Sequence, residues 1–424
     1  MKFNPFQPGK IVRPGMFAGR YEELKKLDRV LYQTKNGNPH HFIIEGERGI
    51  GKSSLLLYLD TVASGAITGL SGSVFNFLTV NIELEPDTTY SGIISNIGRK
   101  LRRELANHDR TRELIKTGWD FLKKWEAFGV KYNPEENTVP PQQLMDDLTL
   151  TFEEAMKRVS TNFDGILITI DEADKPNAGA NLGEFSKLFT ERMMKSGCDH
   201  VALGLSGLPQ LTRKLRESHE SSPRIFENMP LPPLSSEDRY TAIDLGLAAA
   251  KEKNGVETTI ATDAKNLVAT MSEGYPSFIQ QFAYNAFEED SDNEIQLLDV
   301  MNGAYKPNGG LHQLGVAYFH DLYFEKISSN EYRQVLRAMA EHRDQWVTKA
   351  QIRKKLNLKE YTLANAIAAL ITRNIIIPQV GKKGVYRLPT RSFAAWITAF
   401  TNSDTPDSVS PTPAEIKTDN ARTE

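Results

Sequence analysis

One octapeptide constrains the fold of this 424-residue chain more than any other feature. Gly46-Glu47-Arg48-Gly49-Ile50-Gly51-Lys52-Ser53 matches G-x-x-x-x-G-K-[ST]. It comes after the apolar run Phe42–Glu45, itself preceded by a Gly-Asn-Pro turn, and leads into the helical pattern of Ser53–Leu59. A strand, a glycine-rich loop and a helix N-terminus in that order make a phosphate cradle. The glycines let backbone N–H groups turn inward, the lysine reaches the β- and γ-phosphate oxygens, and the serine hydroxyl is a Mg²⁺ ligand. The helix end adds partial positive charge. The candidate phosphate ligands are Gly46, Arg48, Gly49, Ile50, Gly51, Lys52, Ser53 and Ser54.

Such a loop needs a carboxylate beside the metal, at the end of a neighbouring strand. Ile166-Leu167-Ile168-Thr169-Ile170-Asp171-Glu172 supplies one. Asp171, with Ser53, is the candidate metal ligand, and Glu172 is the candidate group to polarise an attacking water. Asp174 is open between a functional acid and a solvated acid at a helix start.

The surrounding pattern predicts a parallel α/β sheet. Further strands are expected at Val74–Ile82, Val201–Ser206 and Met229–Leu234. Helices are expected at Tyr21–Tyr32, Tyr90–Ala106, Arg110–Phe128 and Gln142–Val159. From Ser235 to about Met301 the pattern is helical throughout, and Ser235-Ser236-Glu237-Asp238 starts it. Residues 315–400 give helix, helix, turn, helix and a hairpin. From Thr401 to Glu424 the chain is rich in Ser, Thr, Pro and Asp, and disorder is expected.

Composition bounds the rest. Lys plus Arg number 51 and Asp plus Glu 54, for a net charge of −3. Residues 331–400 alone carry 13 basic and 4 acidic residues, so that segment is +9 on a body of −12. This asymmetry points to nucleic acid for that segment alone. Cys198 is the single cysteine, which excludes an internal disulfide, argues against a Cys-based zinc site and suits a reducing cytoplasm. Its expected role is packing. No apolar run approaches the roughly 18 residues of a membrane span, and Met1–Pro8 lacks the apolar core of a signal peptide.

With both phosphate-loop elements in place, residues 8–300 resemble AAA+ ATPases, in particular the origin-recognition/initiator-like and STAND signal-transduction arms. Phe17-Ala18-Gly19-Arg20, with Glu22, Glu23 and Leu24, looks like the family's box before the phosphate loop. The resemblance puts Phe17 in the adenine pocket. Gly204-Leu205-Ser206-Gly207-Leu208-Pro209 stands where the family carries its polar sensor, which implies Ser206 near the γ-phosphate or the water. A plain helix-capping serine remains open. Arg224, before the fifth strand, stands where the family often has an arginine finger, with Arg192 and Arg213 as rivals. Gly274-Tyr275-Pro276 is similar to the G-x-P lid element of the STAND arm and implies that Pro276 contacts nucleotide.

The resemblance implies ATP and Mg²⁺ as ligands, ATP hydrolysis, homo-oligomerisation and three domains. These are an ATPase core over 1–234, a helical lid over 235–305 and a winged helix-turn-helix over 315–400. There are departures. Between Lys265 and Lys306 no Lys or Arg occurs, so a lid arginine in that stretch is excluded. The interval from Lys52 to Asp171 is long, and residues 108–145 are read as an insertion. The insertion is a candidate partner or DNA element, and its Trp119, Phe121, Trp125 and Phe128 are otherwise helix core. Asp171-Glu172-Ala173-Asp174 also spells the helicase D-E-A-D motif. The second lobe such a helicase needs is absent, because no strand–helix alternation comes after Leu234. No acceptor-site constellation of a small-molecule kinase stands out.

The C-terminal pattern resembles a winged helix. In a DNA-bound mode Lys359, Tyr361, Thr362 and Asn365 would face the major groove. Lys382, Lys383 and Arg387 of the wing would meet phosphates, together with Arg353, Lys354 and Lys355. Ala366, Ala368 and Ala369 leave few base-reading side chains, so shape-based binding is expected over sequence readout. The other reading is a winged helix used for protein contacts, within a STAND-like signalling switch of a defence or mobile-element system.

Overall fold

Residues 2–107, 140–159, 162–327, 329–343, 345–356, 358–373, 375–379 and 381–401 are described by a computed structural model. Inserted residues 108–139, with Trp119, Phe121, Trp125 and Phe128, and the tail beyond Thr401 lie outside the described residues. The chain forms two compact units. One is Ile11–Pro233; the other joins Met1–Lys10 to the chain from Leu234 onward.

The first unit is built on five parallel strands: β1 (His41–Glu45), β2 (Phe77–Glu83), β3 (Gly165–Asp171), β4 (Val201–Gly207) and β5 (Phe226–Pro230). Their order is β2-β3-β4-β1-β5. Strands covered on both faces carry continuous apolar runs, which is why Phe42-Ile43-Ile44 and Ile166-Leu167-Ile168 are buried throughout. The connecting helices are α1 (Tyr21–Lys35), α2 (Lys52–Ala63), α3 (Tyr90–Asn107), α4 (Pro141–Val159), α5 (Leu182–Lys195) and α6 (Leu211–Ser218). Ile97 and Leu101 of α3, Phe152 of α4 and Phe185 and Phe189 of α5 form one core with Ile166, Ile168 and Leu203 of the strands. The rings of Phe185 and Phe189 stack at 5.7 Å. Cys198 is buried in the same core, and burial pushes its thiol up to about 11. It is a packing residue, as expected.

The second unit begins with α7 (Ser236–Asn254), where Ser235 Oγ accepts the Asp238 N–H at 3.1 Å. Next come α8 (Thr262–Met271), α9 (Pro276–Glu289) and α10 (Leu297–Tyr305). The expectation of an all-helical stretch needs one correction. Two-residue strands β6 (Thr259–Ile260) and β7 (Glu294–Ile295) pair in parallel between these helices.

After α11 (Gly310–Leu314) the chain makes π-helical turns over Gly315–Phe319 and Asp321–Glu325. Then come α12 (Asn330–Ala340), β8 (Val347–Thr348), α13 (Lys349–Lys355), α14 (Glu360–Thr372), β9 (Ile377–Pro378), β10 (Val385–Arg387) and α15 (Arg391–Phe400). The three strands form an antiparallel sheet in the order β8-β10-β9. Thr348 opens α13 with a reciprocal cap to Gln351.

Helix α15 is not among the expected elements. Its cap is Thr390, whose hydroxyl accepts the Phe393 N–H at 3.1 Å, and its Trp396 is wholly buried against Phe319, Tyr323, Phe324 and Phe393. A second correction concerns the N-terminus, which the resemblance places in an ATPase core over 1–234. Phe6 is buried against Phe287, the Gln7 N–H donates to Gln280 Oε1 at 2.9 Å, and Lys2 pairs with Asp290. Residues 1–10 therefore belong to the helical unit. No helix among the described residues is long and apolar enough to cross a membrane.

Candidate nucleotide-binding site

The carboxyl ends of parallel strands are where α/β sheets bind ligands, and three candidate elements sit there. The loop after β1 turns through Gly49 (φ 77°) and Gly51 (φ 99°), left-handed conformations that suit glycine. Its first amide, Gly46 N, donates to Gly207 O at the end of β4 at 3.1 Å. Ile50 is buried against Gly46 and Arg48 is exposed. Lys52 is the first residue of α2 and is buried; its Nζ donates to Gly46 O at 2.8 Å and Glu47 O at 3.2 Å. Burial lowers its pKa below the ordinary lysine value, against the pull of Glu172, Asp171, Asp174 and Glu47.

β3 delivers the carboxylates. Asp171 Oδ2 accepts the Ser53 hydroxyl at 2.7 Å, and its Oδ1 accepts the Glu172 N–H at 2.9 Å. Glu172 has φ 52°, a left-handed conformation that costs a non-glycine residue on the order of 1 kcal/mol. Its neighbours hold it there: Ala173 N donates to Ser206 O at 2.8 Å and Lys175 N to Glu172 O at 2.9 Å. Burial raises the Glu172 carboxyl above the ordinary range, and Asp171 adds to this while Lys175 and Lys52 oppose it. A half-buried carboxylate with raised proton affinity suits proton abstraction.

Ser206 lies within β4, paired in register with Ile44 of β1. It is 0% exposed and its hydroxyl has no hydrogen-bond partner among the described residues. It does not cap α6, which removes the helix-capping reading. That helix end is served by Glu45, whose Oε1 accepts the Thr212 N–H at 2.7 Å. Asp174 is not solvated. It is 6% exposed and accepts the Leu208 N–H at 2.8 Å.

Arg20 has a role that sequence reasoning missed. Its guanidinium is buried and donates to Ile50 O in the phosphate loop at 3.0 Å and to Pro232 O. Only the spacing of the Phe-x-Gly-Arg box signals it. Phe17 lies against Tyr58 of α2, ring centroids 5.2 Å apart. Ser54 Oγ accepts the Val12 N–H at 3.1 Å, tying the segment before α1 to α2.

Arg224 is exposed, in a 3-10 turn directly before β5. Its rivals are engaged: Arg192 pairs with Asp146 and Arg213 with Glu217 at 3.5 Å. Pro276 belongs to the helical unit, where it opens α9.

The C-terminal basic residues divide into two sets. Lys359 directly precedes α14, and Lys359, Tyr361 and Asn365 are exposed, Tyr361 at 73%, while Thr362 is half-buried. Lys382 and Lys383 are exposed between Gly381 and Gly384, both with positive φ, at the tip of the β9–β10 hairpin. Others are committed within the protein. Glu360 pairs with Lys349 at 2.5 Å and Arg353 at 2.8 Å, Lys355 pairs with Glu341, and Arg387 lies over the Trp346 ring at 5.3 Å.

Residues 16–197 match a protein family described as the AAA ATPase domain. An uncharacterised HTH-type transcriptional regulator of Methanocaldococcus jannaschii is 24% identical over 364 residues, covering 80% of this chain and 79% of the relative. Among solved structures, the Walker-type ATPase of Pyrococcus abyssi superposes with a TM-score of 0.56 at 16% identity, covering 93% of this chain and 99% of that one. The Aeropyrum pernix ORC2 protein, solved in ADPNP–ADP complexes, also gives 0.56, at 14% identity over 96% and 97% of the two chains. Residues 16–197 are thus similar to the AAA ATPase domain, and the chain shares the α/β fold of these solved structures.

Proposed function

We propose that the chain is an ATP-hydrolysing AAA+ switch that associates with duplex DNA through a C-terminal winged helix and self-associates when ATP is bound. The observation that carries the ATPase half is the 2.7 Å hydrogen bond from Ser53 to Asp171. It brings the phosphate loop and the β3 carboxylates to one point at the strand ends. The hydroxyl and carboxylate are hard oxygen donors, the set that suits Mg²⁺. Ser53 and Asp171 would hold the ion, which when bound neutralises charge on the phosphates. Lys52 would bind the phosphates, Glu172 would take the proton of the attacking water, and the hydroxyl of Ser206 would orient that water. Arg224 fits the role of a finger reaching a neighbour's nucleotide, being exposed beside β5.

The DNA half is supported by the exposed lysines of the β9–β10 tip, by the helix–sheet arrangement of residues 330–387, and by the name of the M. jannaschii relative. A second reading, a STAND-like switch with a protein partner, is favoured by one contact. Glu273, next to the Gly274-Tyr275-Pro276 turn, accepts the N–H groups of Arg391 and Ser392 at 2.8 and 2.9 Å, joining that turn to the start of α15.

Filter binding to labelled duplex DNA across a salt series, with and without ATP, tests the proposal. DNA affinity that falls with salt and changes with ATP is expected. Binding that responds to neither discards the DNA half, and no uptake of labelled nucleotide with magnesium discards the ATPase half.

A further inference from the structure

We propose that Asp174 is a positioning residue that latches the loop bearing Glu172 to the end of β4, and so sets Glu172 and Ser206 relative to each other. The inference rests on the ATPase reading above.

Asp174 is nearly fully buried and carries no ion pair with a side chain among the described residues. Its Oδ1 accepts the Leu208 N–H at 2.8 Å and its Oδ2 faces Gln210 Nε2 at 3.4 Å. Its own carbonyl accepts Lys214 Nζ of α6, which also reaches Pro176 O at 3.4 Å. One residue therefore grips the turn after β4 with its side chain and α6 with its backbone. A buried carboxylate is expensive without such donors, and an exposed acid in this turn would avoid that cost.

The fit is close. A Cβ added to Gly207 would fall 2.7 Å from Asp174 Oδ1 and 3.2 Å from its backbone nitrogen. Gly207 in turn joins the phosphate loop, since its carbonyl accepts the Gly46 N–H. Three segments meet at this contact: the loop after β1, the loop after β3 and the end of β4. Glu172 sits two residues before Asp174 in a strained left-handed conformation, and Ala173 between them is bonded to Ser206 O. Releasing Asp174 frees Glu172 to relax while leaving Gly46–Ser53 and Asp171 in place.

The test is steady-state ATP hydrolysis and equilibrium ATP binding by the full chain carrying Asp174→Ala, Asp174→Asn or Gly207→Ala, and the Asp174→Ala/Gly207→Ala pair. Asp174→Ala is expected to lower kcat by about 100-fold while the ATP dissociation constant moves by less than about threefold. Asp174→Asn keeps an oxygen for Leu208 N and, with the Gln210 amide turned over, a second bond, so it should recover kcat to within about fivefold of the unsubstituted chain. Gly207→Ala, whose Cβ presses hardest on Asp174 Oδ1 and also meets the flexible end of Leu211 at 3.1 Å, should lower kcat as Asp174→Ala does. The pair should be slower than Asp174→Ala alone by far less than the product of the two single effects.

Unchanged kcat in Asp174→Ala overturns the proposal, as does an Asn variant as slow as the Ala variant. If Asp174→Ala does not fold, Gly207→Ala with normal kcat overturns it. Amide exchange separates this proposal from the ATPase reading itself. A chain that takes up no nucleotide sinks that reading, whereas residues 206–210 that exchange no faster in Asp174→Ala sink the latch.

Discussion

Ser53 and Asp171 stand 118 positions apart in the chain, and the hydroxyl of one donates to the carboxylate of the other across 2.7 Å. Parallel topology makes this possible. β1 and β3 both pair with β4, so the loop leaving β1 and the last residue of β3 emerge on the same edge of the sheet. Under the proposed function the contact joins two separable parts, a loop that would bind nucleotide and a strand end that would react.

The binding part turns on Lys52. Lys52→Ala is expected to weaken ATP binding by at least about 100-fold, since a charge-assisted contact to phosphate is lost in a buried setting. Ser53→Ala should instead leave binding in EDTA unchanged and remove most of the gain that magnesium gives. Fluorescent-nucleotide titrations with and without the metal measure both, and equal metal dependence in Ser53→Ala and the unsubstituted chain contradicts the ligand assignment.

The reacting part turns on Glu172. Glu172→Gln keeps the shape of the side chain and its environment but cannot accept a proton, so ATP should bind normally while turnover falls by about 100-fold or more. The burial that raises the proton affinity of Glu172 also sets a sign. The base works only when ionised, so kcat should rise with pH through a limb lying above the ordinary carboxylate range. Hydrolysis rates from about pH 4.5 to 8 locate that limb. Normal turnover in Glu172→Gln means that another group is the base.

Local pattern makes the two motifs legible without coordinates, because each needs a few residue types in tight sequence spacing on a strand end. The parallel sheet is legible for the same reason, in runs such as Ile166–Ile170. What pattern misses depends on distant contacts. Arg20 is one residue of the box before the phosphate loop, with no contact to predict from local spacing, until Ile50 O and Pro232 O accept its guanidinium. Asp174 stays open between a functional and a solvated acid until the turn after β4 closes on it. Phe6 lies in a Pro- and Gly-rich stretch whose destination, a helix ending near Glu289, is hundreds of residues away. Helix α15 has its apolar positions at 393, 396, 397 and 400, but it adjoins a hairpin and reads as its continuation.

A pH effect on stability arises from His41, the first residue of β1. Its Nδ1 accepts the Leu203 N–H at 3.1 Å and its ring stands edge-on to Phe226 at 6.2 Å. Burial, with His40 beside it, lowers its pKa from 6.5 to about 4. A folded state that declines a proton the unfolded chain accepts loses stability as pH falls. The full contribution is therefore present above about pH 6.5 and is lost towards pH 4, to the extent of at most about 3 kcal/mol. Urea denaturation of the unsubstituted chain and of His41→Gln at about pH 7.5 and pH 5 measures it. The variant should lose less on acidification, and equal losses assign the effect elsewhere.

The hairpin tip decides between the two functional readings. Lys382 and Lys383 are exposed between two left-handed glycines, where side chains project without cover. Arg387, engaged with Trp346, is less available. If the two lysines each neutralise one phosphate, Lys382→Glu/Lys383→Glu should weaken duplex binding at low salt. It should also reduce the slope of log K against log salt by about 1.8, at roughly 0.9 per phosphate. Nucleotide binding, which the proposal assigns to residues 46–53, should not change, and this guards against a general folding defect. On the DNA reading, Asn365→Ala should weaken binding nearly equally across DNA sequences, because Ala366, Ala368 and Ala369 offer α14 few side chains for base edges. If charge reversal moves neither affinity nor slope, the DNA reading fails and the STAND-like reading, with a protein partner, stands in its place.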